Sequence, residues 1–157
     1  MRGIRGGVFN THDQMGFTWG GGGKYTGILR DDQEHGPGVR TFADGEVQEG
    51  EFRDGQFHGY GRCTYASGSV YVGQWVAGQR SGKGLYTGKL EEGDIAYYAG
   101  EWCNDVQHGR GAQVSHDGSQ YVGEFKDGHP EGQGVMTRPD GSSEAGVWRQ
   151  GRLERQQ

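Results

Sequence analysis

The sequence predicts an all-β chain, an elongated single-layer antiparallel ribbon of about 23-residue β-hairpin repeats. Three observations point there: a pentapeptide that returns in phase, a pair of glycines at a fixed distance downstream, and a turn-forming dipeptide that closes most units. The pentapeptide Tyr25-Thr26-Gly27-Ile28-Leu29 recurs as Gln48 to Phe52, Tyr71 to Trp75, Tyr98 to Trp102 and Tyr121 to Phe125, with a partial copy at Glu144 to Trp148. Its central glycines are Gly27, Gly50, Gly73, Gly100, Gly123 and Gly146, spaced by 23, 23, 27, 23 and 23 residues. Nine residues after each of the first five begins a second signature: Gly36-Pro37-Gly38, Gly59-Tyr60-Gly61, Gly82-Lys83-Gly84, Gly109-Arg110-Gly111 and Gly132-Gln133-Gly134.

Each element has a physical reason. In a strand, side chains alternate between faces, so Tyr, Gly and Trp or Phe at i, i+2 and i+4 share one face, which predicts an aromatic side of the sheet. Glycine inside a strand costs about 0.5–1 kcal/mol against alanine, so its return at one position calls for a steric cause. Rings lying over bare backbone supply that cause. Thr41, Thr64, Thr87 and Thr137, with Val114 in the same slot, give the second strands β-branched residues suited to a pleated surface. Asp44-Gly45, Ser67-Gly68, Asp117-Gly118 and Asp140-Gly141 are turn dipeptides that tolerate positive φ between antiparallel strands. The third repeat instead carries Thr87 to Asp94, a longer acidic loop that accounts for the 27-residue step.

Stacked hairpins advance about 10 Å each. A lone hairpin is marginal in water, so stability must come from rings stacking on those of neighbouring repeats. Residues 1–24 read as a degenerate N-terminal repeat or cap, with Thr18 to Gly23 aligned to Thr41 to Glu46 and Gly7-Val8-Phe9 echoing the first strand. Residues 25–151 form the array of five full repeats and one partial, and 152–157 a charged tail.

Composition agrees with this reading. Glycine supplies 34 of 157 residues, yet aromatics reach 11%, more than a disordered glycine-rich chain carries. The net charge of −5, with both signs interspersed, argues against nucleic acid as a partner and disfavours an anionic membrane surface. No apolar run reaches the roughly 18 residues that span a bilayer. Cys63 and Cys103 form neither a CxxC pair nor a secreted framework, which predicts free thiols in a reducing, cytoplasmic setting.

The pattern Y-x-G-x-W/F, then H-G-x-G, then D-G, on this period resembles the MORN repeat (membrane occupation and recognition nexus), from residue 25 to about 151. His35-Gly36, His58-Gly59 and His108-Gly109 match its HG; Ser81-Gly82 and Glu131-Gly132 depart from it, and Gln48 and Glu144 stand where tyrosine is usual. The resemblance implies a β-hairpin ribbon like those of radial spoke heads in cilia (the axoneme of a cilium or flagellum), of cytoskeletal scaffolds, or of regions appended to lipid kinases.

Chemistry-bearing residues favour binding over catalysis. His35, His58 and His108 share one repeat position, but neighbouring equivalents about 10 Å apart cannot share a metal ion with ligands at about 2 Å. No metal or cofactor is expected. Ser115-His116-Asp117 is contiguous in a repeat turn, whereas the partners of a nucleophilic triad meet through the fold. The glycine runs lack the order of a phosphate loop before a helix. What remains is the aromatic face, with Tyr71, Trp75, Tyr98, Trp102, Tyr121 and Phe125 as the expected partner-binding residues, along which a helix or extended segment of another protein would lie. The expected function is a non-enzymatic scaffold or structural subunit. An anionic-lipid-binding module, or a regulatory subunit of a separate enzyme, is the alternative.

Overall fold

A computed structural model describes residues 15–89 and 95–154. Every regular element among them is a strand. The chain divides into two compact units, Met1–Gln79 and Arg80–Gln157. The first contains β1 (Met15–Trp19), β2 (Gly23–Arg30), β3 (Gln33–Thr41), β4 (Val47–Arg53), β5 (Gln56–Thr64) and β6 (Val70–Val76). The second contains β7 (Gln79–Thr87), which opens one residue before the division, β8 (Ile95–Cys103), β9 (Val106–Ser115), β10 (Gln120–Lys126), β11 (His129–Thr137), β12 (Ser143–Arg149) and β13 (Arg152–Leu153). Within each unit, neighbours in sequence are antiparallel neighbours in the sheet. The Gly7-Val8-Phe9 echo and the acidic part of the long loop, residues 90–94, lie outside the described residues. Arg152 and Leu153, expected to begin a charged tail, pair with Arg149 and Trp148.

Two kinds of turn alternate. The hairpins close through two-residue turns with both residues at positive φ: Asp31-Asp32 (50° and 60°), Asp54-Gly55 (49° and 78°), Asn104-Asp105 (47° and 69°) and Asp127-Gly128 (49° and 83°). This mirror-image turn matches the natural twist of paired strands. The D-G dipeptides marked in the sequence serve the other connection, between hairpins, and there only the glycine takes positive φ. Gly45 N–H donates to Phe42 C=O (3.1 Å), Phe42 N–H donates to Glu46 C=O (2.8 Å), and the Asp44 carboxylate accepts from Glu46 N–H (2.9 Å). The pattern repeats at Asp117 and Asp140.

The registers explain the glycines. In the first unit Gly27, Gly38, Gly50, Gly61 and Gly73 face one another in a single row across β2 to β6. In the second, Gly84, Gly100, Gly111, Gly123, Gly134 and Gly146 do so across β7 to β12. Tyrosine rings lie down on these rows. The Tyr25 hydroxyl would stand 2.6 Å from a β-carbon at Gly38 and the Tyr98 hydroxyl 2.5 Å from one at Gly111. Each hydroxyl then donates to a carbonyl three residues on in its own strand: Tyr25 to Ile28 (3.0 Å), Tyr71 to Gln74 (3.0 Å), Tyr98 to Glu101 (2.8 Å) and Tyr121 to Glu124 (3.0 Å).

Beside the glycine row β2–β3, β4–β5, β8–β9 and β10–β11 slip register by two residues: Gly27 faces Gly38 but Ile28 faces His35, and Gly123 faces Gly134 but Phe125 faces Pro130. The bulge falls at the first glycine of H-G-x-G, which has positive φ, 91° at Gly59 and 75° at Gly109. A bulge bends its strand and leaves backbone groups unpaired. The glutamate of Y-x-G-E-W/F repairs this, since Glu101 accepts Arg110 N–H and Glu124 accepts Gln133 N–H, both at 2.6 Å.

Hairpins are joined by two further devices. The second turn residue donates its N–H to the strand before it: Gly55 to Glu34 C=O, Gly78 to Phe57, Asp105 to Arg80, Gly128 to Gln107 and Gly151 to Pro130, all between 2.8 and 3.0 Å. The tryptophan indoles donate to the glycine row of the preceding hairpin, Trp75 to Gly61 C=O (3.1 Å), Trp102 to Gly84 (3.3 Å) and Trp148 to Gly134 (3.0 Å). Rings form a zipper between them. In the second unit Tyr98–Trp102, Tyr98–Phe125, Tyr121–Phe125 and Tyr121–Trp148 meet edge to face with centroids 5.0 to 5.5 Å apart. Each such pair contributes about 0.5–1.5 kcal/mol beyond burial itself.

Gly123→Ala is expected to lose about 2–4 kcal/mol of unfolding free energy, because its β-carbon would stand 2.5 Å from Gln133 O and Gly134 Cα. Gly20→Ala, with nothing within 4 Å, should melt like the parent chain. Thermal denaturation of the two variants checks the pair.

Candidate interaction surface

The two faces of each sheet differ completely. All the buried rings, Tyr25, Phe52, Phe57, Tyr71, Trp75, Tyr98, Trp102, Tyr121, Phe125 and Trp148, lie on the face that holds the glycine rows. The six rings expected to contact partners are among them and are at most 7% exposed. That expectation is corrected on physical grounds. Rings that collapse onto bare backbone and onto one another have no area left to offer, so Tyr71, Trp75, Tyr98, Trp102, Tyr121 and Phe125 are core rather than docking surface.

The second repeat lacks its tyrosine, and the core there is built differently. Gln48 faces Arg40 on one side and Cys63 on the other. The ring over the glycine row comes from Phe57 on β5, which closes on Gly61 and stacks with Phe52 (5.0 Å) and Trp75 (4.8 Å). Arg40 pairs with Glu34 (2.9 Å), donates to Gly55 C=O (2.8 Å) and lies over the Phe52 ring at 4.9 Å. Its Nε and Gln48 Oε1 are buried without a hydrogen-bond partner. A cleft of about 880 Å³ opens beside this arrangement, walled by Phe17, Trp19, Leu29 and Phe42.

The opposite face carries the exposed large apolar side chains. In the second unit, register aligns three rows there. The middle row, Leu85, Ala99, Ala112, Val122, Val135 and Ala145, contains no charge; Val122 is 57% exposed, Ala99 and Ala112 are half-buried and Ala145 is exposed. Toward the hairpin turns lie the register pairs Lys83–Glu101, Arg110–Glu124 and Gln133–Val147, linked across the bulges by the bonds of Glu101 and Glu124 to the N–H groups of Arg110 and Gln133, and on the other side runs Thr87, Tyr97, Val114, Gln120, Thr137 and Ser143. In the first unit the same middle row reads Thr26, Val39, Glu49, Arg62 and Val72, so a charged pair interrupts it. Strict alternation was the available signal. One neighbour of each strand glycine, Leu85, Ala99, Ala112, Val122, Val135 or Ala145, is apolar from the third repeat onward, while the other is polar or charged up to Gln133.

One histidine of H-G-x-G, His58, bonds across a joint between hairpins, whereas His35 Nδ1 lies 3.9 Å from the Asp54 carboxylate without a hydrogen bond. His58 Nδ1 accepts the N–H of Ala77 in the next turn (3.2 Å), and the Glu131 carboxylate accepts the N–H of Gln150 (2.8 Å) in the corresponding place. A carboxylate therefore replaces imidazole without loss of the bond. Ser115-His116-Asp117 is a turn, as expected. Asp117 accepts from Ser119 N–H (2.8 Å) and Ser119 Oγ (2.9 Å), and those bonds hold its carboxyl below the usual aspartate range. Cys63 is a buried thiol and Cys103 an exposed one, and neither is in a disulfide.

Comparison with known proteins agrees with this geometry. The MORN-repeat profile matches residues 25–47, 49–70, 71–89, 98–120 and 121–143. The chain belongs to the MORN-repeat family. The matched MORN segments coincide with the hairpins and their connections, and the gap between the third and fourth, residues 90–97, falls within the 27-residue step. No curated protein matches the MORN chain. Among solved structures it is similar to the TCP domain of SAS-4 (dCPAP) of Drosophila melanogaster, solved in complex with a proline-rich motif of Ana2 (dSTIL). That likeness has a TM-score of 0.35 at 10% identity and covers 92% of this chain and 90% of the other.

Two buried phenols give the MORN core a pH dependence. Burial, reinforced by the nearby Glu34 and Glu124 respectively, raises Tyr25 and Tyr121 above the ordinary tyrosine value of about 10. A raised folded value means their contribution is complete below about pH 10 and is lost as pH climbs through the folded value. Urea midpoints measured between about pH 9 and 11 should therefore fall toward the alkaline end, and less steeply in Tyr121→Phe.

Proposed function

We propose that this MORN array is a non-enzymatic protein–protein interaction module, a scaffold or structural subunit of a larger assembly, and that its partner contacts the outer face of residues 80–154. One observation carries the reading: six consecutive strands present an uncharged apolar row on the side of the sheet that the chain's own rings leave uncovered. Contiguous exposed apolar surface with a polar border marks contact sites for other macromolecules. The border is present here in Lys83, Glu101, Arg110 and Glu124.

The net charge of −5 and the interspersed signs favour protein over an anionic bilayer, whose attraction needs clustered Lys and Arg. A regulatory subunit of a separate enzyme would use the same face and differ only in what it binds. Family resemblance extends the proposal to a cytoplasmic setting in cilia or the cytoskeleton.

Val122→Arg places a cation at the centre of the apolar row without touching the ring face. Proximity labelling in cells should yield a set of proteins with the parent chain that Val122→Arg depletes several-fold, while circular dichroism stays unchanged. Identical sets would sink the reading, as would co-sedimentation with phosphoinositide vesicles in their place.

A further inference from the structure

We propose that the partner seated on this outer face is a second copy of the chain, packed sheet on sheet about a two-fold axis that runs parallel to the strands between β9 and β10. The proposal rests on the outer face of residues 80–154 being the contact surface. An axis in that direction turns the second copy over and reverses the order in which its row is met, as any isologous interface requires. Leu85 then faces Ala145 of the second copy, Ala99 faces Val135 and Ala112 faces Val122, each pair being met twice. Every contact in the middle row sets a large side chain against a small one, which is what lets two sheets interdigitate at about 10 Å.

The charged row obeys the same operation. Arg110 faces Glu124 of the second copy and Glu124 faces its Arg110, while Glu101 meets Gln133 and Lys83 meets Val147. No like charges are opposed, and complementary charge of this kind fixes register more than it adds affinity. In the third row Tyr97 meets Thr137 and Val114 meets Gln120. The corresponding face of the first unit would bring Glu49 and Arg62 into the middle of the contact, and burying that pair carries a desolvation penalty.

The size is sufficient for a reversible dimer. Six strands about 4.8 Å apart and three rows about 6.8 Å apart cover roughly 600 Å² on each copy. The total of about 1,200 Å² clears the ~1,000 Å² that specific association needs and sits at its lower end, where micromolar dissociation is usual.

Sedimentation equilibrium of the full chain across the micromolar range should show a monomer–dimer equilibrium. Val122→Arg should raise the dissociation constant at least about tenfold, with a melting curve that matches the parent's when both are dilute enough to be monomeric. The decisive arm uses Arg110→Glu and Glu124→Arg, both verified as folded by circular dichroism. Each alone opposes like charges and should stay monomeric. In an equimolar mixture, the two acidic side chains that the Arg110→Glu chain brings to the axis meet the two cationic ones of the Glu124→Arg chain, which should restore the dimer. Contacts within one chain cannot produce that result. A parent chain that is monomeric throughout, a dimer indifferent to Val122→Arg, or single variants that fail to complement would each overturn the proposal. Should the parent stay monomeric while Val122→Arg still depletes other proteins in cells, the self-association fails and the interaction reading stands; indifference to Val122→Arg in both experiments removes both.

Discussion

A tyrosine ring cannot lie flat on a strand that carries β-carbons beneath it. The fold is organised by that exclusion. Glycines from successive strands fall into one row in each unit, the Tyr25, Tyr71, Tyr98 and Tyr121 hydroxyls reach across to backbone carbonyls, and Trp or Phe rings close edge-on against them. The entropy lost in ordering so much glycine is substantial, at about 1–2 kcal/mol of backbone freedom per residue. It is offset because rings that would be half solvated on an ordinary single-layer sheet are almost wholly removed from water.

The bulge beside the glycine row determines much of what remains. The two-residue slip there leaves backbone N–H groups that a glutamate from the first strand accepts at 2.6 Å. The turn of the next hairpin then bonds to the strand it approaches, through five repeated N–H to C=O contacts and through His58 or Glu131. Hydrogen bonds of this sort contribute about 1 kcal/mol each, yet they recur at every joint and fix the step between hairpins.

Much of this was legible in the residues. Periodicity gave the strands, the shared face of Tyr, Gly and Trp, and a steric role for glycine, because alternation and the cost of glycine in a strand are local properties. Three things were not legible. The two-residue turns at Asp31-Asp32 and Asn104-Asp105 lack glycine, so their mirror-image conformation left little mark. The pairing of His58 with a turn 19 residues away depends on the step between hairpins, which no motif encodes. The burial of the rings was misjudged because a single layer was assumed to leave one side open, whereas side chains that fold down onto glycine close that side themselves. The surface that is open, centred on Val122, consists of small residues whose significance appears only when six strands are set in register.

The substitution of Phe57 for the tyrosine missing at Gln48 has a bearing on how such sequences diverge. Because Phe57 reaches the vacant slot from the returning strand, the slot can be supplied from either of two positions nine residues apart. A lineage could pass through a form carrying both rings, or exchange one for the other, without the sheet ever losing its cover. Arg40 and Gln48, each with a buried polar atom lacking a mate, mark the polar side on which this exchange is incomplete. Repeats scored as degenerate by their missing tyrosine can thus be stereochemically whole, and the count of functional units in a chain of this kind is better taken from its glycine ladder than from its aromatic signature.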